Sequence, residues 1–284
     1  MRLSWLLVTL AALVMGLATQ SRAQGLNDWG VILLHGKSGG GKSLEAVAAA
    51  LRSEGATVTM PAMSWAKSYR TYEATLDEVG RHVAALRARG AKRVALVGQS
   101  LGANVALGYA ARRGGTEAVA AIAPGHQPDR FLRFTEDSLR RAKQMVATGR
   151  GGETTAFVDV NQGKKFEIRT TASAYVSFFD PEGPAMMKSN AGRLNNVKLL
   201  WVIGSADINA RAVVTGGKTI TVAGDHFATT KAGAKEIVVW PQEPLTLCSS
   251  GRRGRTRMAS AVRGPRARRP YSPKVQEGSS IDAP

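Results

Sequence analysis

Short apolar runs alternate with longer segments of helical spacing from Trp29 to about Trp240. Six runs are predicted to be buried strands: residues 31–34, 56–60, 93–97, 118–122, 198–202 and 219–222. Most lack in-out alternation, as strands covered on both faces do. Strands that alternate with helices are typical of a parallel sheet. The pattern therefore predicts an α/β fold with a doubly wound, mostly parallel sheet.

The segments between these runs have helical periodicity. Apolar residues recur at i, i+3, i+4 and i+7 from Leu44 to Leu51, and with helical spacing from Leu76 to Leu86. We expect each of these helices to turn one apolar face toward the core. Further helices are predicted directly after Ser100 and over residues 228–240, before Pro241.

Residues 127–195 break this rhythm. They contain one predicted helix, residues 136–147, followed by polar, glycine-rich and mixed segments. An insertion after the strand at 118–122 would lie over the carboxyl ends of the strands, where ligands bind in doubly wound sheets. Two interpretations stay open: a small cap over that edge, or an irregular segment packed beside the sheet.

Residues 1–23 have the composition of a secretory signal peptide. Arg2 precedes an apolar stretch, and Ser21-Arg22-Ala23 forms a small-x-small end, so cleavage is predicted before Gln24. The apolar stretch is shorter than the roughly 20 residues that span a bilayer, which argues against an uncleaved anchor. The sequence therefore predicts an exported protein, periplasmic or secreted, with no stable membrane span after cleavage.

Positive charge is concentrated near the C-terminal end. The formal net charge is +18, and residues 246–284 hold nine of the 39 Lys and Arg residues but only two of the 21 acidic ones. This segment is rich in Gly, Pro and Ser without an apolar pattern, so we expect a disordered tail after a domain of residues 24–245. A basic tail can bind nucleic acid, but export argues against that partner. The only cysteine, Cys248, lies in the tail, so no internal disulfide is expected.

A G-x-S-x-G pentapeptide marks a candidate nucleophile. In Gly98-Gln99-Ser100-Leu101-Gly102 the serine follows an apolar strand and precedes a helical run, which is the setting of a nucleophile elbow. Gly36-Lys37-Ser38-Gly39-Gly40 matches the same pattern, but the three glycines after Ser38 make a poor helix start. Context therefore favours Ser100.

A serine nucleophile needs a base, and the base needs an acid that orients it. After a nucleophile elbow these follow in the order Asp or Glu, then His. Among the four histidines, His226 follows the last predicted strand, whereas His126 is predicted to line the pocket mouth as a bystander. Asp207, just past the strand at 198–202, is the predicted acid. Its rival Asp225 would have to fold back on its neighbour His226.

Two backbone N–H groups are expected to bind the oxyanion of a tetrahedral intermediate. Leu101, directly after the nucleophile, supplies one of them. The loop His35-Gly36-Lys37 after the first strand supplies the other, with Lys37 as the predicted donor and Ser38 as the alternative.

The same loop opens a competing motif. Gly36 to Ser43 fits the phosphate-binding pattern G-x-x-x-x-G-K-[ST], in which Lys42 would contact phosphates and Ser43 a Mg²⁺ ion. Such a site also needs a second strand that ends in an aspartate, and the nearest match, Asp159, lies in the irregular segment. Export also removes the protein from an ATP supply. A milder hypothesis is that this basic loop holds an anionic group of a substrate.

With these pieces in place, residues 25–240 resemble the α/β-hydrolase superfamily, and look closest to exported hydrolases of the dienelactone-hydrolase and esterase-like branch. The resemblance is carried by residues 31–36, the Gly98 to Gly102 elbow, the Gly204 to Asp207 turn and Gly224-Asp225-His226. It implies a Ser-Asp-His triad that acts on a small-molecule acyl substrate through an acyl-enzyme, with no metal or organic cofactor. The alternatives are a binding protein that keeps this fold without turnover, and the P-loop protein.

Overall fold

The computed structural model describes residues 25–37, 39–207, 210 and 214–242. Its six-stranded sheet has the order β2-β1-β3-β4-β7-β8, and every neighbouring pair in it is parallel. These strands are β1 (Trp29–Leu34), β2 (Thr57–Thr59), β3 (Arg93–Gln99), β4 (Ala118–Ile122), β7 (Lys198–Gly204) and β8 (Lys218–Val222). Helices connect them, so the predicted doubly wound α/β fold is confirmed.

The strands are apolar throughout because both faces of the sheet are covered. β1 is buried along its whole length. Ile32 and Leu34 belong to one apolar core, whereas Val31 and Leu33 belong to a second core on the opposite face. Successive side chains point to opposite faces of a strand, so each face requires its own apolar residues.

Helices pack on both faces of the sheet. The two amphipathic helices α1 (Glu45–Ser53) and α2 (Tyr72–Ala88) contribute to different cores. They bury the residues that their spacing predicts, Val47, Ala48 and Leu51 in α1 and Leu76, Val79, Val83 and Leu86 in α2. Helix α3 (Leu101–Arg112) starts directly after Ser100, as predicted, and is buried along most of its length.

The segment between β4 and β7 is more regular than predicted. It forms α4 (Pro128–Ala147), a hairpin of β5 (Thr154–Asn161) and β6 (Lys164–Thr171), α5 (Ala172–Phe179) and α6 (Met187–Gly192). The predicted helix over 136–147 exists but begins earlier, at Pro128, where proline is favoured in the first helical turn. We refer to residues 128–192 as the insertion.

Aromatic side chains pack the insertion against the sheet domain. Phe157 of β5 stacks on Tyr175 of α5 with ring centroids 4.5 Å apart, and Tyr175 stacks on Phe179 at 4.2 Å. All three belong to the core that contains Ile32. The hairpin and α5 are therefore packed elements, in contrast to the irregular segment expected from composition.

The predicted helix over residues 228–240 is divided in two. α7 (Ala228–Ala232) and α8 (Ala234–Val239) meet at Gly233, and a 3₁₀ turn, Trp240–Gln242, follows. A Cβ on Gly233 would lie 2.5 Å from Cγ1 of Val202, so the chain needs glycine to approach β7 this closely. Glycine also has low helix propensity, which favours a break at this point.

The predicted signal peptide (1–23) and basic tail (246–284) lie outside the described residues, as does Ser38. In the portion of the chain that is described, no helix is long and apolar enough to cross a membrane.

Candidate active site

Ser100 lies at the sharp turn between β3 and α3. Its φ is 55° and its ψ is −115°, a conformation that a non-glycine residue keeps only when its surroundings hold it. The Ser100 N–H donates to the Ile122 carbonyl at 3.0 Å, and the Ser100 carbonyl accepts from the Gly125 N–H at 3.2 Å. The end of β4 and the loop after it therefore fix the turn.

Two glycines of the pentapeptide stand where a side chain would collide with backbone. A Cβ on Gly98 would meet the Gly102 carbonyl, and a Cβ on Gly102 would meet the Leu34 carbonyl. These close approaches explain why the elbow needs glycine at both positions. The twin pentapeptide lies in a different setting, because residues 35–40 connect β1 to a short 3₁₀ turn, Gly41–Leu44.

Asp207 and His226 form a buried pair at the carboxyl ends of β7 and β8. His226 Nδ1 lies 2.7 Å from Asp207 Oδ2, and their side chains are 10% and 2% exposed. The other carboxylate oxygen, Oδ1, accepts the Ala210 N–H at 3.2 Å. A carboxylate on Nδ1 fixes the ring orientation and leaves Nε2 as the nitrogen for proton transfer.

Asp225, the rival acid, has a different contact. Its Oδ1 accepts the N–H groups of Phe227 and Ala228, both at 2.9 Å. These backbone hydrogen bonds lower the pKa of the Asp225 carboxyl. Asp225 therefore stabilises the chain at the start of α7, while Asp207 contacts the His226 ring.

Ser100 and His226 line one cavity of about 150 Å³. The insertion supplies much of its wall, with Phe131 and Phe134 from α4 and residues 160–163 from the turn of the β5–β6 hairpin. The insertion therefore lies over the nucleophile elbow, where a cap would lie.

The described lining of this cavity is cationic. Lys37, Arg130 and Arg133 belong to it, and none of the described lining residues is Asp or Glu. Lys42 belongs to the basic loop that was predicted to hold an anionic group of a substrate. Its side chain is exposed and is not part of this lining. The basic residues of this lining come from the loop after β1 and from α4.

The loop after β1 packs directly on the nucleophile. A Cβ on Gly36 would lie 3.2 Å from Ser100 Cβ and 3.8 Å from Ser100 Oγ. His35 anchors this loop, because its Nε2 accepts the Met63 N–H at 3.1 Å and its Nδ1 donates to the Gly36 carbonyl at 2.8 Å. Burial lowers the His35 pKa, which favours the neutral ring that this pattern requires.

The two predicted oxyanion donors flank Ser100. Leu101 is the first residue of α3, and the first N–H groups of a helix have no partner within the helix. The helix dipole also places partial positive charge at this end. Lys37 lies in the loop after β1, directly after Gly36, and lines the cavity with Ser100.

The comparisons with known proteins agree with this architecture. A profile described as an alpha/beta hydrolase family matches residues 31–269. The chain belongs to the alpha/beta hydrolase family. No curated protein sequence has significant similarity to this hydrolase.

Two solved structures are similar to the hydrolase in fold. A monoacylglycerol lipase from Paleococcus ferrophilus is 17% identical, with a TM-score of 0.54, over 75% of this chain and 93% of the lipase. The esterase domain of a Rhodothermus marinus protein is 14% identical, with a TM-score of 0.52, over 78% and 89%. These structures agree with the fold, and the family profile confirms the resemblance to the α/β-hydrolase superfamily.

The Lys37 side chain has a contact that the sequence did not predict. Its ammonium lies 2.5 Å from Asp159 Oδ1 of β5 and donates to the Val160 carbonyl at 3.0 Å. Burial lowers the Lys37 pKa, and the Asp159 charge opposes that shift. Asp159 is far from Lys37 in sequence and lies on a strand that the pattern missed, so no local signal pointed to this pair.

His126 lines the same cavity, as the sequence analysis expected, and is almost fully buried. Its Nε2 donates to the Phe178 carbonyl at 2.8 Å, and its φ is 59°. Burial and the nearby Lys37 charge hold the His126 pKa well below the usual histidine value. The ring is therefore neutral, and the described residues give its Nδ1 no hydrogen-bond partner.

The P-loop motif finds no support in the described residues. Ser43 Oγ donates to Gln99 Oε1 at 2.6 Å, so this hydroxyl is engaged within the fold. Asp159, the proposed second-strand aspartate, is bound to Lys37 and to the Tyr69 hydroxyl. No group of three or more His, Cys, Asp or Glu side chains in the described part of the chain is arranged to hold a metal ion.

Proposed function

We propose that this hydrolase is an exported serine hydrolase that cleaves an ester or related acyl bond through an acyl-enzyme. The observation that carries the proposal is the pairing of His226 Nδ1 with Asp207 Oδ2 at 2.7 Å, at the cavity where Ser100 lies on a strained turn. A base oriented by a buried acid beside a serine on a sharp elbow is the arrangement of a serine hydrolase.

In this mechanism Ser100 Oγ attacks the acyl carbon while His226 Nε2 takes the hydroxyl proton. The carbonyl oxygen becomes an oxyanion that accepts hydrogen bonds from the Leu101 and Lys37 N–H groups. When the intermediate collapses, the bond to the leaving group breaks and His226 returns the proton to that group. Water then attacks the acyl-enzyme with His226 again as base, releasing the acid and free Ser100.

Small acyl esters are the substrates we propose to test first. The cavity of about 150 Å³ is limited by Phe131 and Phe134 of the insertion, which favours a compact acyl group. The names of the two solved structures, a monoacylglycerol lipase and an esterase domain, support esters as the bond type to test, without indicating the size of the acyl group.

Ester hydrolysis by two serine variants tests this function. We expect the wild type to hydrolyse p-nitrophenyl butyrate with a burst of p-nitrophenol, and Ser100→Ala to lose on the order of 10⁴-fold or more in kcat. Ser38→Ala, in the twin pentapeptide, is the control and should keep wild-type kcat. A folded wild type that hydrolyses no acyl ester would favour the binding protein instead.

Export is the second part of the proposal and rests on residues 1–23. We expect the full chain, expressed in a bacterium with its leader, to yield a mature protein that starts at Gln24 in the periplasmic or secreted fraction. N-terminal sequencing checks this. A product that keeps Met1 and stays in the cytoplasm would contradict it.

A further inference from the structure

A buried ion pair joins the insertion to the loop beside the nucleophile. Lys37 Nζ lies 2.5 Å from Asp159 Oδ1, and the side chains are only 6% and 1% exposed. Lys37 directly follows Gly36, whose backbone packs on Ser100. Asp159 belongs to β5 of the insertion. The pair therefore connects two parts of the site that are far apart in sequence.

Both charges of this pair are compensated. Asp159 Oδ1 accepts the Val160 N–H at 2.6 Å, and Asp159 Oδ2 accepts the Tyr69 hydroxyl at 2.9 Å. Lys37 Nζ also donates to the Val160 carbonyl and lies 4.7 Å from the Phe131 ring centroid. A buried pair that lacks such partners loses more by desolvation than it gains by attraction. These hydrogen bonds therefore hold the Lys37 side chain in one direction.

The loop that carries the proposed second oxyanion donor thus has an anchor at each end. His35 holds one end through the Met63 N–H, and Lys37 holds the other through Asp159. A donor stabilises the oxyanion only when it lies within hydrogen-bond distance of the transition-state oxygen. A displacement of about 1 Å in such a group can cost about 100-fold in rate.

We propose that Asp159 is a positioning residue, which holds the Lys37 N–H in place for the oxyanion through the Lys37 side chain. In this way the insertion contributes to transition-state stabilisation as well as to the wall of the cavity. This role rests on the proposed acyl-enzyme function, and it makes Asp159 of the insertion necessary for full activity.

A second ion pair of the insertion provides the matched control. Lys143 Nζ lies 2.8 Å from Asp180 Oδ2. It joins α4 to the residue after α5, and neither residue lines the Ser100 cavity. Asp180→Asn therefore removes a Lys–Asp pair from the same segment without touching the loop after β1.

The test compares Asp159→Asn and Asp180→Asn in p-nitrophenyl butyrate hydrolysis and in inhibition by a trifluoromethyl ketone, which forms an oxyanion when serine adds to it. Asparagine at position 159 can still accept a hydrogen bond, but it leaves the buried Lys37 ammonium without a counter-charge, so we expect the Lys37 side chain to leave this position. For Asp159→Asn we expect kcat to fall about 10- to 100-fold with KM changed less than about threefold. The inhibition constant should rise by a similar factor. Asp180→Asn should stay within about twofold of wild type in both measurements.

The double variant Lys37→Met/Asp159→Leu separates positioning from folding. Replacing both partners of a buried ion pair with apolar residues often preserves stability, but it removes the directed link to the loop. We expect a folded protein with the same loss of kcat. If Asp159→Asn does not fold, the kcat of the double variant tests the positioning role in its place.

Three results would overturn the proposal: wild-type kcat in folded Asp159→Asn, wild-type kcat in the folded double variant, or an unchanged inhibition constant. A wild type that hydrolyses esters while Asp159→Asn keeps full kcat would refute this inference alone. A folded wild type with no esterase activity would refute the proposed function itself.

Discussion

Ser100 and His226 are each held in position by residues that are distant from them in the sequence. Ser100 keeps a φ of 55° because Ile122 and Gly125 hold its backbone from β4 and the following loop. His226 is oriented by Asp207, which comes from the end of a different strand. Chain order alone was enough to propose these residues, because parallel strands bring their carboxyl ends to one edge of the sheet.

The pairing of His226 with Asp207 can be tested by replacing one carboxylate oxygen of Asp207 with an amide nitrogen. Asp207→Asn keeps the size of the side chain but no longer stabilises the protonated imidazole, so we expect kcat to fall on the order of 10⁴-fold, as for the same change in other triads. Asp225→Asn is the control, because its Oδ1 can still accept the N–H groups of Phe227 and Ala228. Steady-state ester hydrolysis by the two variants checks this, and equal kcat losses would contradict the assignment.

The Lys37 side chain shows what residue-level reasoning could not find. The sequence pointed to the Lys37 backbone N–H as an oxyanion donor and to Asp159 as a P-loop aspartate, but it gave no sign that the two side chains pair. The two residues meet only because the β5–β6 hairpin folds over the elbow. Such a contact depends on tertiary structure, so it cannot be predicted from the residue types or their spacing near Lys37 or Asp159.

At the scale of elements, the sheet was predictable and the insertion was not. The strands are continuous apolar runs because both of their faces are buried. Strands β5 and β6 carry Thr, Lys, Asn, Glu and Arg, and much of β6 is exposed, so burial leaves only a weak pattern there. The available signal was the turn: Gln162 and Gly163 both have positive φ, as in the two-residue hairpin turns that favour glycine.

His126, in the connection from β4 to α4, is expected to make the stability of the protein depend on pH. The pKa of buried His126 lies well below the ordinary value of 6.5, chiefly because of burial. Below pH 6.5 the unfolded chain therefore binds a proton that the folded chain does not, and stability falls as the pH falls. Between pH 7.5 and 5.5 we expect His126 to account for a loss on the order of 1 kcal/mol in the free energy of unfolding.

Urea unfolding of wild type and His126→Asn at these two pH values measures this contribution. Asparagine tolerates the positive φ of this position and does not titrate. The variant should lose less stability than wild type over the same pH interval, by on the order of 1 kcal/mol. Equal losses in the two proteins would show that His126 becomes protonated in the folded state.

At the scale of the whole molecule, charge predicts a substrate preference. Outside residues 1–23 and 246–284 the chain has 28 basic and 19 acidic residues. The Lys37 charge is balanced by Asp159, but Arg130 and Arg133 also line the Ser100 cavity, and its described lining contains no Asp or Glu. Such a field steers anions to the site. We expect mono-p-nitrophenyl adipate to exceed p-nitrophenyl hexanoate in kcat/KM by about 10-fold at low salt, with the difference shrinking as salt screens the charges.

Two arginines of α4 test where this preference arises. Arg133 lines the cavity, whereas Arg140 pairs with Asp137 on the exposed side of the same helix. Arg133→Gln should lower kcat/KM for the adipate ester and leave the hexanoate ester unchanged. Arg140→Gln should leave kcat/KM unchanged for both esters. If the two variants have the same effect, the preference arises from the net charge of the protein and not from Arg133.

The identity of the nucleophile can be read from a covalent adduct by mass spectrometry. Trypsin places Ser100 in the peptide of residues 94–112 and Ser38 in the separate peptide of residues 38–42. After reaction of the folded protein with a fluorophosphonate, we expect the adduct mass on Ser100 in peptide 94–112, and no adduct in Ser100→Ala. An adduct on peptide 38–42, or labelling that persists in Ser100→Ala, would contradict it.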